Sequence, residues 1–106
     1  MNHKQERIYI SGKISGLPHE EYTSKFSLAC FVLEIEGYIA VNPVDLCKDI
    51  NGGDWEDYMD RCLPVLLKCD GIYLLKNWRE SSVSTLEKEV GNALEKVKDF
   101  KIMYQQ

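Results

Sequence analysis

One stretch of this chain, Cys69 to Gly91 (CDGIYLLKNWRESSVSTLEKEVG), gathers residue types that can do chemistry. It holds acids at Asp70 and Glu87, an indole at Trp78 and hydroxyls at Ser81, Ser82 and Ser84. An apolar run from Ile72 to Leu75 ends in a polar loop from Lys76 to Ser84. A helical pattern follows, with Leu86, Val90, Ala93, Leu94 and Val97 at spacings of three and four. This reads as strand, loop, helix, and in an open parallel sheet ligands sit outside the carboxyl ends of the strands. Glu87, placed in the first turn of that helix, suits a carboxylate at such a rim. It equally suits an acid that complements the exposed N–H groups of a helix start.

A second loop has related chemistry. SGKISG, Ser11 to Gly16, follows the β-branched and aromatic run RIYIS. Gly12 and Gly16 let backbone N–H groups approach a ligand, while Ser11, Lys13 and Ser15 add donors suited to a phosphate or sugar. The spacing is neither a Walker loop nor the GxGxxG dinucleotide fingerprint, so a plain strand-to-helix turn explains it as well. Tyr9, Trp55 and Trp78 have faces that can stack on a planar base, and core or rim packing is the ordinary alternative.

The whole composition narrows the function classes. A chain of 106 residues makes one domain, 1–106, with a single core. A net charge of -4 argues against polymeric nucleic acid, which needs clustered Lys and Arg. No apolar run nears the ~20 residues of a membrane span, and MNHKQER is too polar for a secretory signal, so a cytoplasmic location away from membranes is expected. Cys30, Cys47, Cys62 and Cys69 form no CxxC pair and lie apart from His3 and His19. No zinc site follows, and buried free thiols are expected.

Four strands must position these residues: Arg7 to Ser11, residues 38–42, Gly71 to Leu75 and Phe100 to Tyr104. A helix carrying Tyr22, Phe26, Ala29, Cys30 and Leu33 starts near Pro18 and stops before Gly37. The stretch VDLCKDINGGDW reads as an irregular, mobile loop over a pocket, with Asp54 capping a helix that spans Trp55 to Leu67. Pro64 predicts a kink there, or a helix in two pieces. The order βαβαβαβ implies an α/β, flavodoxin-like three-layer sandwich with a four-stranded parallel sheet in the order 2-1-3-4. That order brings the SGKISG loop and the loop before Glu87 into one crevice.

The combination of YISGKISG, CDGIYLL and Trp78, Ser81, Ser84, Leu86, Glu87 (W-x-x-S-x-x-S-x-L-E) resembles the nucleoside 2-deoxyribosyltransferase superfamily, in particular its short phage-type branch. The resemblance implies a small-molecule nucleoside or nucleotide as ligand, no cofactor and no metal, a homo-oligomer, and either deoxyribosyl transfer or N-glycosidic hydrolysis. Ser11, Gly12, Lys13, Ile14 and Ser15 would lie near the sugar or its phosphate. Asp70 would position the sugar or assist proton transfer, and Glu87 would be the nucleophile, with Glu89 as the rival alignment. Ser82 and Ser84 would orient that carboxylate or bind sugar hydroxyls. The chain departs from the pattern at Val83 and Ser84, where Gly and Ala or Thr are common. It also has Cys62 where a second acid often stands.

Overall fold

The computed structural model describes residues 5–50 and 55–106, the side chain of Trp55 excepted. The expected N-cap Asp54, the Asn51 to Gly53 turn and His3 lie outside them. In chain order the elements are β1 (Arg7–Ser11), α1 (His19–Ile35), β2 (Ile39–Val41), α2 (Pro43–Leu46), α3 (Trp55–Leu67), β3 (Gly71–Leu74), a single 3-10 turn (Trp78–Glu80), α4 (Ser82–Val97) and β4 (Lys101–Tyr104). The strands form one parallel sheet in the order β2-β1-β3-β4, with Tyr9 beside Ile72 and Ser11 beside Leu74. This is the flavodoxin-like α/β arrangement expected from the element order. Among the described residues no helix is long and apolar enough to cross a membrane.

Alternation along β1 divides the core between the two sheet faces. Ile8 and Ile10 point toward α1, where Phe26, Ala29 and Leu33 meet them. Tyr9 points the other way, toward Cys62 and Leu66 of α3 and Leu94 of α4. The outer layers are therefore one helix on one face and two on the other. α1 ends where Gly37 takes φ +95°. There Tyr38 N–H bonds the Leu33 carbonyl and Gly37 N–H the Glu34 carbonyl, a Schellman closure that glycine makes without strain.

Three local expectations change. Residues 43–46 are helical rather than irregular, because Asn42 Oδ1 accepts the Val44 N–H at 3.0 Å and Pro43 suits the first helical position. α3 runs unbroken through Pro64 instead of splitting; proline withholds one N–H, and this one falls in the last turn. Finally, α4 buries only part of the stripe its apolar spacing suggests. Val90 and Leu94 pack against the core and Leu86 and Val97 are exposed, while the fully buried residues of the helix are Ser84, Glu87 and Gly91. At Gly91 the helix lies close to the sheet, where a Cβ would meet Phe100 and Ile72 in ordinary contact at 3.4 and 3.5 Å.

Candidate functional site

β1 delivers two hydroxyls to one spot. Tyr9 and Ser11 are two residues apart on a strand and share a face, the face that α4 covers. Glu87 comes down on them from α4, in its second turn rather than its first, so helix-end complementarity does not explain the acid. The Tyr9 phenol donates to Glu87 Oε2 at 2.6 Å, and the Ser11 hydroxyl donates to Glu87 Oε1 at 2.7 Å. Glu87 is 2% exposed. Neutral donors hold both oxygens.

Burial dominates the electrostatics. It pushes the Glu87 carboxyl up to about 7, although the bonds from Tyr9 and Ser11 pull it down. Burial, followed by the charge of Glu87, holds the Tyr9 phenol well above its ordinary value, so Tyr9 stays a donor. A carboxyl near 7 exchanges its proton in the neutral range. When it takes one, it becomes a donor, and one of the two hydroxyls must turn to accept.

A narrow crevice of about 40 Å³, open to solvent at its mouth, leads to this carboxyl. The loop after β1 lines it with Gly12, Ile14 and Ser15, and α4 lines it with Val83, Glu87 and the N-cap residue Ser81. Pro43 and Cys47 come from α2 and its end, Tyr58 and Cys62 from α3. The two loops thus share one crevice, with Val83 in its wall. Gly12 is required by packing, because a Cβ there would stand 2.5 Å from Leu75 Cδ1. Among the lining residues Glu87 is the sole carboxylate, and none is basic.

The remaining sequence-derived residues lie elsewhere. Asp70 precedes β3 at the amino edge of the sheet, where its Oδ2 accepts the Arg7 N–H at 2.8 Å. Ligand crevices open at the other edge, so Asp70 does not reach Glu87. Trp78 is half-buried outside the crevice, its ring 6.4 Å from Tyr104 and capped by the Arg79 guanidinium at 4.9 Å. Lys13 turns to Glu80, 3.7 Å away, while its N–H donates to Asn77 Oδ1. Gly16, at φ +85°, shapes an exposed turn. Ser81 caps α4 by accepting the Ser84 N–H at 3.1 Å, and Ser82 lies on the outer surface with Glu89. Ser84 is buried, and its Oγ has no partner in the structure. Of the two rival acids, Glu87 faces the crevice and Glu89 faces solvent.

Sequence reading missed the walls supplied by Pro43 and Tyr58; it placed Cys47 in a loop over a pocket and marked Cys62 as standing where a second acid often does, without making either a wall of the site. For Tyr9 it left stacking and core packing open, and missed the hydroxyl's bond to Glu87. Cys47 and Cys62 Sγ approach to 3.1 Å, and burial pushes the Cys62 thiol up to about 12. All four cysteines are free.

The sheet order and the buried carboxyl at its carboxyl edge define a flavodoxin-like α/β domain with a one-acid crevice. The chain belongs to the DUF4406 family, a domain of unknown function whose sequence model matches residues 6–101. No curated protein and no solved structure matches it.

Proposed function

We propose that the crevice takes the sugar of a nucleoside or nucleotide and that Glu87 acts on its N-glycosidic bond. The observation that carries this reading is the Glu87 carboxyl itself: 2% exposed, fixed by two neutral hydroxyls, and lining the same crevice as the glycine loop. Each carboxylate oxygen has two acceptor positions, so an oxygen already bonded to Tyr9 or Ser11 keeps a lone pair for C1′. In the reaction that lone pair forms the C1′–O bond while the C1′–N bond breaks through an oxocarbenium-like state, and the base departs with the bonding electrons. Water attacking C1′ of the glycosyl-enzyme gives hydrolysis; a nitrogen of a second base gives transfer. No second carboxylate lines the crevice among the described residues, so the proton for the departing base comes from solvent at the mouth. The absence of a basic lining residue favours a neutral nucleoside over its monophosphate.

The experiment is incubation with deoxynucleosides and deoxynucleoside monophosphates, followed by chromatography for free base. Release by the wild-type chain that disappears in Glu87→Ala supports the reading, and release that survives the substitution removes Glu87 from the role. The lone carboxylate also favours a second reading, a non-catalytic nucleotide or nucleotide-sugar binding module. In that case the same ligands raise the melting temperature, about 2.7 kcal/mol of stabilisation at 100 times Kd, with no base released.

A further inference from the structure

α1 carries two apolar stripes. One, built on Phe26, Ala29 and Leu33, is buried against the sheet. The other lies roughly opposite at 100° per residue: Leu28, Phe31, Val32 and Ile35, which are 57, 61, 37 and 68% exposed. Together these four leave roughly 400 Å² of side chain in water, at the scale of the largest patch an ordinary single chain exposes and about half of what each partner buries in a standard interface. Among the described residues α1 is the one long helix packed on its side of the sheet, with Val44 of α2 beside it, and the stripe faces solvent.

We propose that this stripe is the contact between two copies of the chain, related by a two-fold axis with their α1 helices antiparallel. Charge placement selects that occupant. Lys25 and Glu36 are exposed, eleven residues apart and therefore within about 20° of one flank of the stripe. In an antiparallel pair, like flanks meet. An axis beside Phe31 then sets Lys25 against Glu36 of the partner subunit, twice by symmetry. The same register lays Ile35 over Ser24 and Ser27 of the partner subunit, whose small side chains allow close approach. The contact leaves the crevice open, because α1 covers the sheet face opposite Glu87.

Sedimentation of the full chain over a wide concentration range tests this. A dimer is expected. Phe31→Glu should weaken it by more than roughly tenfold, with the far-UV circular dichroism unchanged since the side chain is mostly exposed. Lys25→Glu or Glu36→Lys alone should weaken it about three- to tenfold, and the two together should recover the loss. A chain that stays monomeric, or that associates only with other proteins, overturns the proposal. So does a dimer indifferent to Phe31→Glu, or a double reversal that restores nothing.

Discussion

The hydroxyl of Tyr9 and the carboxyl of Glu87, 78 residues apart in sequence, meet at 2.6 Å inside the protein and join the central strand to the last helix. Removing the hydroxyl alone leaves the ring in place and strands a buried oxygen. Tyr9→Phe should therefore cost about 1–3 kcal/mol in urea unfolding. Since the Tyr9 bond lowers the Glu87 pKa, its loss should also raise that value further, which a pH titration of the variant's stability measures.

The pKa of Glu87 predicts how stability changes with acidity. The folded value of about 7 stands above the ordinary 4.5, so the native state binds a proton that the unfolded chain has already lost. Stability should be greatest below about 4.5 as far as this group is concerned, fall as pH rises toward 7, and level off above it. The span is roughly 3 kcal/mol. Glu87→Gln should flatten this part of the profile in denaturant titrations run between pH 5 and 8.

Catalysis, if the proposed chemistry operates, has the opposite slope. The attacking carboxylate must be ionised, so base release should climb as pH rises through about 7 and reach a plateau. A rate that falls across this range would contradict a nucleophilic Glu87.

How much was legible follows from the kind of signal each feature leaves. The strands β1 and β3 are apolar runs bounded by glycine or polar turns, and alternating strands and helices fix a parallel sheet, so the fold was readable. Glu87 and the glycine loop were readable as neighbours because strand order alone decides which loops meet. Asp70 was carried over from the family resemblance, yet it stands at a strand's start, where its carboxylate accepts the Arg7 N–H on the edge away from the crevice. α2 and the wall from Cys47 left no periodicity to read, whereas Cys62 was legible as a helix residue and not as a wall of the site. The inner face of α4 was half hidden for a physical reason: beside Val90 and Leu94, which the apolar pattern selects, it buries Ser84, Glu87 and Gly91, which that pattern passes over.

Gly12 makes a steric prediction. A methyl group there would press 2.5 Å from Leu75 Cδ1 and 2.9 Å from its Cβ, and Leu75 is fully buried. Gly12→Ala should destabilise by about 1–3 kcal/mol in chemical unfolding, as overpacking does, and displace the loop that lines the crevice.

Ser84 predicts the reverse. Its hydroxyl oxygen is buried with no partner in the structure. Ser84→Ala keeps the helix and removes a group that lost its water on folding without a replacement. The thermal midpoint should hold or rise, the gain being up to about 1 kcal/mol.

Because hydroxyls and not cations grip Glu87, dissolved ions have little to compete with at that carboxyl. Exposed ion pairs such as Arg61–Asp49 are screened more strongly as salt shortens the Debye length from about 8 Å at physiological ionic strength to about 3 Å at 1 M. The heart of the crevice should keep its shape in brine that loosens such surface pairs.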